Sequence, residues 1–132
     1  LLMTLTIMSQ EKDTTSYTIN GGGGSSRGET KEINLDLTGA KTLTFTLSWA
    51  GAPDYDLNFE LKQGNTVLFR KIEQLLERGW TREFTATYGG SPATVTIDVS
   101  KYTGAAILSM YCWGYVGDGD WCTMTISNIQ LK

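Results

Sequence analysis

Between Lys41 and Ala50 the chain alternates without a break. Leu43, Phe45, Leu47 and Trp49 share one parity; Thr42, Thr44, Thr46 and Ser48 share the other. Successive side chains of a strand point to opposite faces, so this run can bury one face of a sheet and leave the other in water. A helix would scatter the same four apolar residues around its axis. The pattern recurs along the chain. Tyr55, Leu57, Phe59 and Leu61 alternate with Asp56, Asn58, Glu60 and Lys62, and Ile33, Leu35 and Leu37 and then Val95, Ile97 and Val99 follow suit. Met3, Leu5 and Ile7 predict a first strand and residues 16–19 a second. Gly51-Ala-Pro-Asp54, Gln63-Gly-Asn65 and Gly89-Gly-Ser-Pro92 are turns between such runs. About nine or ten short strands and almost no helix predict an all-β fold, an antiparallel β-sandwich of the jelly-roll type, as one domain over residues 1–132.

Three stretches depart from the pattern. Ile72, Leu75 and Leu76 have helical spacing, and Gly79 stands where a C-cap would, so residues 71–78 are the one helix candidate. Trp80, Phe84, Ala86 and Tyr88 read as one face of the strand that follows. Residues 20–28 are Gly-rich, but strand alternation rather than a helix follows them, so they predict a loop and not a phosphate cradle. Ile129 and Leu131 lie on the opposite parity to Ile126, which predicts a bulge near Asn128.

Residues 105–127 carry the functional signal. Two alternating runs flank Val116-Gly117-Asp118-Gly119, and the short Gly/Asp loop predicts a hairpin. With Cys112 opposite Cys122, Met110 meets Met124 and Leu108 meets Ile126, giving one apolar face. The other face has Ser109, Thr123, Thr125 and Ser127, yet also Tyr111, Trp113, Tyr115 and Trp121. Flat, rigid rings on a polar face suit recognition, and a pyranose ring stacks its apolar C–H face on an indole. The alternative is a second layer that makes these rings core. Trp49, by parity, is core. The two cysteines of this register stand within disulfide range, and a pair of buried free thiols fits the sequence equally well.

Composition narrows the function. A net charge of −3 lacks the basic stripe of a nucleic-acid binder. The chain has no histidine, which removes Ser-His-Asp and Cys-His catalysis and His-ligated zinc. Carboxylate pairs can hydrolyse glycosides without histidine, but no spacing here fixes two of them at a working separation, so the expectation is a non-enzyme. No apolar run reaches the ~18 residues of a membrane span. Only 19% of residues are charged, and abundant Thr, Ser and Gly suggest an extracellular β domain. The chain starts at Leu1, which predicts a piece of a longer protein.

In Tyr111-Cys-Trp-Gly-Tyr115, Gly117-Asp-Gly-Asp-Trp121 and the closing Ile126-Ser-Asn-Ile-Gln-Leu-Lys, the chain resembles a jelly-roll β-sandwich carbohydrate-binding module. The resemblance implies a non-catalytic domain, linked to a secreted glycan-active enzyme or surface protein, that holds it on polysaccharide such as β-glucan, xyloglucan or mannan. The ligand would stack on Tyr111, Trp113, Tyr115 and Trp121 and hydrogen-bond to Asp118 and Asp120. The resemblance also implies a structural calcium as an option beside no cofactor, for which Asp54 with Asp56, or Asp118 with Asp120, could give oxygen ligands. Asp54-Tyr-Asp-Leu-Asn58 is similar, too, to a strand of the small sandwich appended to secreted bacterial peptidases. The competing reading is a structural or adhesive sandwich of a cell-surface or phage-tail assembly that uses the same rings as a protein interface.

Overall fold

The computed structural model describes residues 6–7, 12–22, 27–75, 82–114 and 119–132. Ten strands form among them: β1 (Thr6–Ile7), β2 (Lys12–Asp13), β3 (Tyr17–Gly22), β4 (Arg27–Asp36), β5 (Thr42–Ala52), β6 (Tyr55–Gln63), β7 (Thr66–Leu75), β8 (Ala93–Asp98), β9 (Ala105–Gly114) and β10 (Trp121–Leu131). The front sheet has the order β1-β4-β9-β6-β7. The back sheet runs β10-β5-β8, with β2 and β3 both paired to the free side of β10. Every pairing is antiparallel except the short β1–β4 contact, which is parallel. The chain is thus an all-β sandwich of the expected class.

The alternation decides what fills the interior. Leu43, Phe45, Leu47 and Trp49 from β5 face Tyr55, Leu57, Phe59 and Leu61 from β6, and all eight are buried. Phe45 and Phe59 meet edge to face across the sheets at 5.3 Å between ring centres, a favoured aromatic geometry. The bulge falls where the parity change places it: Asn128 has φ 54°, and the β10–β5 register shifts between Ser127 and Gln130.

Two expectations for the middle of the chain are corrected. Residues 71–75 belong to β7, which pairs with β6 as far as Tyr55–Leu75, so no helix starts at Lys71; residues 76–81, with Trp80, lie outside the described residues. Glu83–Tyr88 is the α-helix α1 rather than a strand. Phe84 and Tyr88 are four apart, a spacing that satisfies both periods. A helix lets Phe84 plug the interior against Trp49 and Phe59, at 5.3 and 5.6 Å. The helix stops at Gly89, in the left-handed region with φ 77°, whose N–H donates to the Thr85 carbonyl at 2.9 Å. The fully buried carboxylate of Glu73 ties the helix to both sheets. It accepts from Trp49 Nε1 at 2.9 Å and Thr85 Oγ1 at 3.1 Å, and lies 3.4 Å from Arg82 Nε. A buried carboxylate requires such partners.

The last hairpin is also corrected. β9 pairs with β4 and β6 in the front sheet, whereas β10 pairs with β5, β3 and β2 in the back sheet. Cys112 stands opposite Glu29 and Leu57; Cys122 stands opposite Gly21 and Gly51. The two runs therefore cross the sandwich as an arch. Cys112, Met110 and Leu108 still share an interior with Cys122, Met124 and Ile126, all buried. Parity fixes which side chains are buried. It does not say from which sheet they reach the core, because the inner faces of both sheets look into the same space.

Candidate functional site

β9 is the middle strand of the front sheet, and its outward parity sets Ala105, Ile107, Ser109, Tyr111 and Trp113 in a line. The neighbouring strands supply what flanks them. Trp113 lies between Gly28 of β4 and Asp56 of β6, Tyr111 between Thr30 and Asn58, and Ser109 between Glu32 and Glu60. β7 adds Gln74 beside Asp56 and Arg70 beside Glu60. A trough of about 460 Å³ runs over this surface, lined by Thr30, Glu32, Asn58, Glu60, Lys62, Arg70, Ser109 and Tyr111. Ser109 is small and buried, so it forms the floor. A second hollow of about 470 Å³ shares Lys62 and continues past Ile107 to Ala105 and Gly104.

Gly28 makes room for Trp113. A Cβ on Gly28 would stand 2.6 Å from Trp113 Cε3, so the indole occupies the space any side chain there would need. The ring lies half-buried across β4. A ring held on one side by backbone loses little further freedom on stacking with a ligand.

The charges of the trough compensate in pairs. Lys62 Nζ lies 3.3 Å from Glu32 Oε2, and Arg70 Nε lies 3.9 Å from Glu60 Oε2. Both pairs are solvent-accessible and contribute little to stability. Asp56 differs. Its Oδ2 accepts from Gln74 Nε2 at 3.2 Å, while its buried Oδ1 has no hydrogen-bond partner among the described residues. Burial pushes the Asp56 carboxyl above its ordinary pKa, against the opposing Gln74 hydrogen bond and the Arg70 charge.

The structure brings Tyr111 and Trp113 together on the front sheet. Trp121, 44% exposed, is on the outer side of the back sheet, between Gly22 and Ala52. A single four-ring platform required β9 and β10 to share a sheet, and the arch separates them. Asp120 is buried, so it offers no rim to a ligand on either face. Tyr115 and Asp118 lie outside the described residues. Among the described residues, no three His, Cys, Asp or Glu side chains converge. The sequence reading missed Gly28, Thr30, Asn58, Gln74 and the two ion pairs. The outward parity of Asn58, Glu60 and Lys62 was legible, whereas Gly28 fell in a segment that predicts a loop and Gln74 in one that predicts a helix; their place beside β9 depends on strand order.

No protein-family model matches the sequence, and no curated protein matches it either. The fold does have counterparts. The carbohydrate-binding module TmCBM61, solved with β-1,4-galactotriose, superposes with a TM-score of 0.53 at 16% identity, over 88% of this chain and 70% of its own. A CBM4 structure gives 0.43 at 14% identity, over 78% and 59%. Aeromonas hydrophila PliG, a periplasmic inhibitor of g-type lysozyme, gives 0.34 at 13%, over 95% and 96%. The chain is similar to TmCBM61 in fold, a β-sandwich; the other two overlaps are looser and add nothing to that. Among the described residues no helix is long and apolar enough to cross a membrane.

Proposed function

We propose that this chain is a non-catalytic polysaccharide-binding module, and that its binding face is the outer side of the front sheet. One observation carries the reading: two aromatic residues, Tyr111 and Trp113, follow each other outward on the central strand, within rows of hydrogen-bonding side chains. Indole and phenol rings take the C–H faces of sugar units. Thr30, Asn58, Glu60 and Gln74 stand where they can bond to the hydroxyls along the rims. From Trp113 to Ala105 the strand rises through eight residues, about 27 Å, enough for several sugar units of an extended chain. Among the described residues of this face, Lys62 and Arg70 are each paired to a carboxylate, which favours neutral glycans such as β-glucan, xyloglucan or mannan. Tyr115 and Asp118 follow Trp113 in the chain and are candidates for the same end of the site. The module would act outside the cell or at its surface, as a single domain within a larger chain, holding an attached enzyme or surface protein on its substrate.

Affinity electrophoresis through gels containing each neutral polysaccharide tests the proposal. Retardation of the parent chain is expected with at least one of them, and its loss in Trp113→Ala and Tyr111→Ala. If no neutral glycan retards the parent while gel filtration shows concentration-dependent self-association, the rings serve a protein interface instead.

A further inference from the structure

Away from the binding face, the interior holds one pair of nucleophilic side chains. Cys112 points inward from β9 of the front sheet and Cys122 inward from β10 of the back sheet; both are buried free thiols. The two thiols are neighbours in the interior, each close enough to influence the other's ionisation. Stacked sheets usually lie about 10 Å apart, wider than the roughly 4.4–6.8 Å between the Cα atoms of a disulfide. At this end the sandwich is narrower. A Cβ on Gly114, two residues beyond Cys112, would run into the Cα of Gly22, and Gly22 follows Gly21, the register partner of Cys122. The backbones of β9 and β3 are therefore in contact beside the thiols, and glycine on both strands is what permits it.

We propose that Cys112 and Cys122 are a modification site: the two thiols close within one chain into a disulfide that joins the front sheet to the back sheet. The reaction is thiol–disulfide exchange with a disulfide oxidant such as oxidised glutathione. One cysteine, as thiolate, attacks the oxidant, forms a mixed disulfide and releases one glutathione thiolate. The second cysteine then attacks the protein sulfur of that mixed disulfide and releases the other. Two protein thiols are oxidised to one disulfide, the oxidant is reduced to two thiols, and the two cysteine protons pass to the released thiolates. The bond would clamp the arch at both feet, since Trp113 adjoins Cys112 and Trp121 adjoins Cys122.

Unfolding the full chain in denaturant and refolding it in a glutathione redox buffer gives the test, since refolding exposes both thiols to the oxidant. The expected product is a monomer, lighter than the reduced chain by two hydrogens, with no titratable thiol after denaturation. Its Tm should fall by about 10 °C on reduction, from the chain-entropy effect of so short a loop. The Cys112→Ala/Cys122→Ala double variant, if it folds, should not respond to reductant. Recovery of folded monomer with two titratable thiols overturns the proposal, as does a disulfide found only between chains.

Discussion

The outer faces of the two sheets arise from the same alternation and become different surfaces. The back face is built of small hydroxyl residues. Thr18, Thr125 and Ser48 form one register row, and Ser127, Thr46 and Thr94 another. Thr18 Oγ1 and Thr125 Oγ1 bond to each other at 2.9 Å, and the exposed Trp121 opens β10. The front face has its aromatics in succession along the central strand, with ion pairs and a half-buried carboxyl on the strands beside them. Both faces satisfy water equally well. Among the described residues, the front one sets two rings in succession beside directional hydrogen-bonding groups, a combination suited to a glycan. A lone exposed Trp is ordinary on a protein surface; two rings in register with polar rows are not.

The interior common to both faces should give the largest effect. Trp49→Ala is expected to cost about 3–5 kcal/mol of stability in urea unfolding, through lost burial and the cavity beside Phe84. It also strips Glu73 of its 2.9 Å indole donor. A loss below about 1 kcal/mol would mean that the sheets do not depend on this residue.

Next comes the front face itself. Trp113→Ala should weaken glycan binding by about 1–3 kcal/mol, as truncation of an interface hot spot does. Its melting temperature should stay within a few degrees of the parent. Calorimetric melting beside a binding titration reads both, and a Trp113→Ala chain that melts as low as Trp49→Ala would make Trp113 a core residue.

Asp56 offers a smaller, pH-dependent test of how buried that face is. Its folded pKa is raised above the ordinary value of 3.8, so the folded chain holds the proton more tightly than the unfolded one. The stability this brings is complete below the unfolded carboxylate range and is lost as pH rises through the folded pKa. Asp56→Asn removes that loss. The variant should exceed the parent at neutral pH by less than about 1 kcal/mol, allowing for solvent screening, and the gap should close below roughly pH 4. Urea unfolding at both ends of that window checks it, and an Asp56→Asn chain less stable at neutral pH would show that the charge is satisfied in solution.

The smallest expected effect belongs to the back face. Trp121→Ala should leave both melting and glycan affinity close to the parent. If the same binding titration shows it losing as much as Trp113→Ala, the ligand reaches around the arch and the contrast between the faces fails.

The buried set was legible from the sequence. Leu43 to Trp49, Tyr55 to Leu61 and the bulge at Asn128 follow from parity, because period two is a local property of the backbone. Local spacing was ambiguous where two periods coincide, as for Phe84 and Tyr88. It was misleading at Ile72 and Leu75, where pairing with β6 overrode it.

Of the candidate site, the sequence by itself determined that Tyr111 and Trp113 share a parity opposite to Met110 and Cys112, and that Asp56, Asn58 and Glu60 lie opposite in parity to Tyr55, Leu57 and Phe59. Only the tertiary structure decided that these two strands are neighbours, that Gly28 leaves space for the indole, and that Trp121 belongs to the opposite face. The reason is physical. Alternation tells each strand which side to bury, and both sheets bury their inner sides in one core, so the local pattern is indifferent to which sheet a strand joins. That choice rests on long-range pairing and on how the arch between β9 and β10 crosses the sandwich.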